Sequence, residues 1–386
     1  MSKQKQSAPW LLVIKQRPWL WGGGAFVLLT VGVWLALLAI APDLLRPFSW
    51  AMTRSEDTVV ETPEVVPVVE EDEEEQDGLV PRSIDGVLVA QENSNPFPVA
   101  MMIDNIPPAW PHSGLEAASV LYETLVEGGA TRIMAVFAGG EAAKIGPVRS
   151  ARPYYLEWVS EYDALYGHVG GSPEALGAID GMGIKDFSQF SNGQYFWRDQ
   201  SRYAPHNVYT SSELIQRALR DRDFAEETPQ YGSWLFKDDA PLEERPLKEE
   251  SIEVHFSSGQ TWVSEYVYDR VTNQYAKFHA GRPHIDAETG NQLQTKNVVV
   301  IIIPPILDYG EKGRLTLDVH GEGRAFIFRD GEKITGSWKK TDRLDRTRFY
   351  DENGSEVLLN RGTSWVSIVP EGNDVIYTES EMVEGE

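Results

Sequence analysis

An α/β domain followed by a mostly antiparallel β domain, both behind one N-terminal transmembrane helix, is the architecture this sequence predicts. Three observations carry that expectation. Residues 19–41 are 23 positions without a charge. Between Pro96 and Arg220, apolar strand-like runs end repeatedly in polar or glycine-rich turns that lead into helix starts. From Ser251 onward, short strand-like runs are separated by turn signals at hairpin spacing, among them Ser258-Gly259, Asp330-Gly331 and Asn353-Gly354.

Each element follows from its residues. A helix over residues 19–41, rising about 1.5 Å per residue, covers the roughly 30 Å of bilayer hydrocarbon. Lys3, Lys5, Lys15 and Arg17 precede it and the flank after it turns acidic, so residues 1–18 are expected in the cytoplasm and the main domains outside it. A cleaved signal fits less well, because the apolar run exceeds the usual length of about 7–15 residues and no small-x-small site follows. Trp19, Trp21 and Trp50 suit the interfacial belt. Residues 42–95 read as an acidic disordered tether. Residues 55–78 hold eleven acidic side chains and no basic one, so of the net charge of -24 the rest of the chain carries -13, that is -24 plus 11. Such a balance excludes wholesale nucleic-acid binding. The chain has no cysteine, which removes disulfides, thiolate metal sites, a cysteine nucleophile and a lipid-bearing cysteine together.

Residues 96–220 form the expected α/β domain, a mixed sheet with flanking helices. Residues 99–103 are a strand ending at Asp104-Asn105, residues 115–126 a helix and then a strand, residues 131–138 a strand, and residues 145–148 a short partner. Ser150 is expected to cap a helix with Pro153 in its first turn. Residues 163–169 are a strand stopped by Gly170-Gly171, and Ser172-Pro173-Glu174 opens the next helix. Ligands of such sheets sit at the carboxyl ends of the strands. Residues 221–250 are charged and proline-containing, and are expected as a linker. Residues 251–379 carry nine strand-like runs, and residues 380–386 read as an acidic tail.

The chemistry concentrates where the strand over 145–148 meets a helix start, because Arg149 and Arg152 stand there beside free backbone N–H groups, an arrangement suited to an anion. Asp104 either binds a metal or acts as a base, or it caps the turn before Pro107-Pro108. Glu123 and Glu127 are either catalytic carboxylates or ion-pair partners of the arginines. Of His112, His168 and His206, none lies at a spacing that makes a zinc site persuasive. His168, at a strand end, is the general-base candidate against the alternative of a hydrogen-bonded structural histidine. His279 and His284 fit a hairpin around Gly281. No Gly-x-Ser-x-Gly elbow and no Walker loop is present.

The stretches Met102-Ile-Asp-Asn105, Pro111-His-Ser-Gly114, Tyr122-Glu-Thr-Leu-Val-Glu-Gly-Gly129, Ile145-Gly-Pro-Val-Arg-Ser-Ala-Arg152, His168-Val-Gly-Gly171 and Pro205-His-Asn207 resemble the YerB-like lipoprotein family. Gly281-Arg-Pro-His284, Gly336-Ser-Trp-Lys339 and Gly362-Thr-Ser-Trp365 agree with that family's second domain. The resemblance implies a two-part architecture of unknown function from about Pro96 to Pro370. It departs at the anchor, where a hydrophobic span stands in place of the lipoprotein cysteine. The first domain is also similar, more faintly, to the LytR-CpsA-Psr envelope phosphotransferases. That likeness implies Arg132, Arg149 and Arg152 as phosphate ligands, Arg198 and Arg202 as further arginines, and Asp104 as ligand of a divalent cation such as Mg. The acid that pattern has after its first arginine is Ile133 here. The expectation is therefore a single-pass cell-membrane protein facing out of the cytoplasm. It binds a phosphorylated or acidic envelope ligand, with transfer of a phosphoryl-linked glycan as an enzymatic extension. The alternative is a non-enzymatic scaffold whose β half recruits another envelope protein.

Overall fold

The computed structural model describes residues 78–381. In its first half come β1 (Val99–Asn105), β2 (Val120–Leu125), β3 (Thr131–Phe137), α1 (Pro153–Ser160), β4 (Leu165–His168), α2 (Pro173–Gly181), β5 (Lys185–Ser188) and α3 (Ser212–Asp221). The second half supplies β6 (Lys248–His255), β7 (Val263–Asp269), β8 (Gln274–His279), β9 (Asn297–Ile303), β10 (Gly321–Arg329), β11 (Glu332–Lys340), β12 (Arg348–Asp351), β13 (Ser364–Pro370) and β14 (Val375–Glu381). The expected transmembrane segment over 19–41, the cytoplasmic N-terminus and most of the tether lie outside the described residues. Among the described residues no helix is long and apolar enough to cross a membrane.

Two sheets organise the chain. The larger has ten strands in the order β12-β11-β10-β9-β13-β2-β3-β1-β4-β5. Its middle strands β1, β2, β3 and β13 are buried along their whole length, and β9 along nearly all of it. β9 (NVVVIII) and β13 (SWVSIVP) read as near-continuous apolar runs because both faces of the sheet are covered. One face carries α1, with Tyr122 stacked on Trp158 at 5.6 Å between ring centroids. The opposite face carries the second sheet, where Tyr266 of β7 bonds Ser367 of β13 at 3.1 Å. That six-stranded sheet runs from the Arg282–Pro283 pair through β8, β7 and β6 to β14, with Gln294–Thr295 added beside β8. Alternation does the sorting. On β2, Tyr122 points to the helix side and Glu123 to the second sheet.

Several expectations are corrected. The two halves do not build separate sheets, because β13 pairs in parallel with β2 of the first half, Ser364 opposite Val120 through Ile368 opposite Thr124. The linker over 221–250 is packed as well. Trp234 is buried, Phe236–Lys237 pairs with Leu359–Asn360, and β6 begins at Lys248. The tether ends earlier than residue 95: Leu79–Pro81 pairs with Leu88–Ala90, Ile84 is buried, and Arg82 closes the turn on Asp85 at 2.6 Å. The acidic tail is a strand as far as Glu381, since Val375 to Glu381 pair along β6. Residues 115–117 form a single 3-10 turn in place of a helix. Finally, Ser150 is not the cap of α1. Arg152 holds that position without a side-chain bond, while Ser150 Oγ donates to the carbonyl of Val169 at 2.9 Å.

Candidate functional site

β1 and β3 are antiparallel with Asp104 opposite Arg132, so a carboxylate and a guanidinium face one another where β1 ends. The chain then returns through residues 145–152. The Arg149 amide bonds the Met102 carbonyl at 2.8 Å, and Ala151 bridges to Gly171 between the starts of α1 and α2. This brings Arg132, Arg149 and Arg152 together at the carboxyl ends of β1 and β4, the position the sequence marks.

The three arginines are not alike. Arg152 grips Glu127 with two bonds of 2.7 and 2.8 Å. Burial alone would raise the Glu127 carboxyl, but the Arg152 fork outweighs it and holds the group below its ordinary value. Arg149 Nε stands 3.0 Å from Asp104 Oδ2, and the same oxygen lies 2.5 Å from His206 Nδ1. The Arg149 contact lacks hydrogen-bond alignment, so its Nε counts as close to the charge but unbonded. Arg132 is buried, donates from Nη1 to the Ser150 carbonyl at 2.7 Å, and has no partner for Nε. Burial lowers its affinity for its proton, and the neighbouring Arg152 and Arg149 lower it further against the pull of Asp104.

The other sequence candidates go elsewhere. Arg198 is exposed and donates to Asn207 at 2.8 Å, and Arg202 donates to backbone carbonyls, best to Pro111 at 2.8 Å. Neither joins the cluster by a contact. His168 is fully buried, with Nδ1 2.7 Å from the Gly170 carbonyl and Nε2 2.8 Å from Asp186. No ring nitrogen is left for a substrate proton. Asp104 caps no turn, and its Oδ2 already serves two basic groups, with a third cation, Arg132, on the paired strand. The residues here therefore do not fit a resident Mg, and no group of three His, Cys, Asp or Glu able to hold a metal occurs among the described residues.

A second polar cluster lies in the seam between the two sheets, and sequence reasoning missed it. Glu123, expected beside the arginines, is instead fully buried against the second sheet. It accepts from Asn105, Thr131, Ser264 and Trp365 and lies 3.7 Å from Lys277 Nζ. Burial draws the Lys277 ammonium down to about 8, against the opposing charge of Glu123. Beside it His279, His284 and His112 form a chain under Trp110, with His112 Nδ1 2.7 Å from His284 Nε2. The available signal was the inward run Tyr275, Lys277, His279 on β8, a cation and an imidazole where alternation expects apolar side chains.

Comparison with known proteins adds a lineage. Residues 85–225 match the family described as "Protein of unknown function (DUF3048) N-terminal domain", and residues 252–366 match its C-terminal domain. The chain is 30% identical over 312 residues to "Putative lipoprotein YerB" of Bacillus subtilis (strain 168), covering 77% of this chain and 88% of that protein. The crystal structure of YerB protein from Bacillus subtilis superposes with a TM-score of 0.68 at 26% identity, over 77% of this chain and 98% of that one. The two matched segments meet at the packed connection yet share the ten-stranded sheet.

Proposed function

The chain belongs to the YerB-like family of paired DUF3048 domains, and from that premise we propose an extracytoplasmic, membrane-associated envelope protein that binds a phosphorylated or acidic envelope ligand at Arg132, Arg149 and Arg152. The relative's name speaks of a lipoprotein, and here the uncharged run over 19–41 takes the place of a lipid anchor as a single span. One observation carries the ligand reading. Three guanidiniums converge, whereas among the described residues only two carboxylates, Asp104 and Glu127, pair with them, and buried Arg132 keeps an unpartnered Nε. A phosphoryl group would meet that surplus charge with acceptor oxygens. The reading is one of binding, since Asp104 Oδ2 is engaged by basic groups and His168 has no free nitrogen. A scaffold that recruits another envelope protein is the second reading, favoured by the carboxylates already held by Arg149 and Arg152.

The test is a thermal melt of the full-length chain in detergent with and without pyrophosphate, for the wild type and for Arg132→Met. Arg132 is chosen because its loss strands no carboxylate. Pyrophosphate is expected to raise the wild-type midpoint. The variant should lose most of that rise while its ligand-free midpoint falls little, because the lost bond to Ser150, worth about 1.5–3 kcal/mol, is offset by relief of repulsion from Arg149 and Arg152. Equal rises would remove Arg132 from the site. No rise in the wild type would retire the anion reading and leave the scaffold.

A further inference from the structure

The seam cluster opens into a cleft of about 810 Å³ lined by Trp110, His279 and His284, with Pro107, Pro111 and Pro283 as apolar wall and Gln260, Thr261 and Arg282 among its polar groups. The hydrogen bonds fix the tautomers of its histidines. His112 Nε2 lies 2.7 Å from the Asp104 carbonyl, which only accepts, so that nitrogen carries a proton. His112 is fully buried and neutral, burial bringing it to about 4, so its Nδ1 is a lone pair. His284 Nε2, 2.7 Å from that lone pair, must be the donor. Neutral His284 is then left with a bare lone pair on Nδ1, and that nitrogen has no partner. His279 reaches the same state by another route. Ser264 Oγ gives its proton to Glu123, so it can only accept from His279 Nδ1 at 3.4 Å. The lone pair of His279 falls on Nε2, which is likewise buried and without a partner. The two rings are 5.8 Å apart and each is 5% exposed.

Two adjacent buried acceptors select their ligand. An anion would set its own lone pairs against them. A cation, metal ions included, would meet Lys277 behind the rings and Arg282 in the lining. A neutral molecule with several hydroxyl donors meets neither objection, and its C–H face suits the half-buried indole of Trp110, whose N–H is already held by Asn105 at 2.9 Å. The volume falls in the range of small-molecule sites, about 300–1,000 Å³. We propose that the cleft between the 107–111 segment and the edge of the second sheet is a binding site for a neutral saccharide, with hydroxyls donating to His279 Nε2 and His284 Nδ1 and one ring face lying on Trp110. This site is separate from the arginine cluster, so either assignment can fail without the other.

Calorimetric titration of the full-length chain in detergent with the neutral oligosaccharides cellotetraose and chitotetraose tests it. At least one should bind saturably. Affinity should fall about tenfold or more in His279→Leu and in His284→Leu, each losing an acceptor, and should be kept in Arg132→Met. His279→Gln restores an acceptor and should recover part of the binding, which also guards against a leucine variant that fails to fold. Absence of binding by both sugars overturns the proposal, as does undiminished binding in both leucine variants. Zinc added alone is the third arm, and saturable zinc binding lost in those same variants would overturn the saccharide in favour of a metal. Nitrogen-15 spectra of histidine-labelled protein check the premise, and a protonated His279 Nε2 or His284 Nδ1 would overturn it.

Discussion

Glu161 lies at the C-terminal cap of α1, fully buried, and accepts from the Thr347 amide at 3.1 Å and the Thr347 hydroxyl at 2.5 Å. Lys340 Nζ stands at 3.0 Å and Arg346 Nη1 at 3.6 Å, both also buried. Glu161→Gln keeps the shape and strands two cations away from water, so the midpoint of a urea titration should report a loss of about 3–5 kcal/mol. A loss under 1 kcal/mol would mean that the three groups are not sealed as the structure has them. The seam histidines give a pH signature. In the unfolded chain they take protons near the ordinary value of about 6.5. In the folded protein burial holds His112 to about 4 and His279 and His284 well below 6.5, with Lys277 and the neighbouring histidines adding to the effect. The unfolded state therefore binds more protons through this window. Stability is full above pH 6.5 and drains as the pH falls toward 4, with a slope of at most about 4 kcal/mol per pH unit from three protons. Glu123, Asp104 and Asp286 face these rings and moderate the slope. Urea midpoints between pH 4 and 7 measure it, and His112→Gln should remove about one proton. A flat profile would contradict buried neutral rings. The meeting of His112 with His284 was not legible in advance, because they are 172 positions apart and a spacing argument cannot bring them together. Arg149, Arg152 and Glu127 were legible, since each stands next to a strand end whose direction the local pattern gives.

Elements were read best where backbone chemistry is local. Ser172 caps α2 as its sequence promises, accepting from the Ala175 amide at 3.2 Å with Pro173 at the first helical position. Ser172→Ala should cost about 1 kcal/mol in thermal or urea unfolding, within the range of about 0.5–2 kcal/mol for lost caps, and an unchanged midpoint would show the cap to be idle. Ser150 misled for a reason that is also physical. The hydroxyl satisfies the Val169 carbonyl of the neighbouring strand end, and a tertiary bond of that kind takes a capping residue away from its helix. β7 and β8 of the second sheet, with their clean alternation, were placed among the strand-like runs after Ser251. Residues 234–237 and 375–381 were not, because two-residue bridges and an edge strand gain their order from partners far along the chain.

At the scale of the whole molecule the sequence divides where the structure does not. Composition changes across 221–250, and the two family matches fall on either side of it. Yet β13 lies between β9 and β2 and runs parallel to both, so the first half cannot complete its sheet alone. A fragment ending near residue 225 would expose the edge of β2, lose the Trp365 and Ser264 partners of buried Glu123, and lose Lys340 and Arg346 from Glu161. Each stranded carboxylate carries a penalty of several kcal/mol, comparable with the whole stability of an ordinary domain. The fragment spanning residues 78–225 is therefore expected to lack a cooperative transition, and the full chain to unfold in one step, with tryptophan fluorescence and far-UV circular dichroism giving the same midpoint. A protease site placed between Arg222 and Ser233 should, once cut, leave the two pieces associated under native conditions, since the joining strands and the seam stay in place. Separate elution of the cut pieces, each with its own melting transition, would show that the halves are independent domains after all.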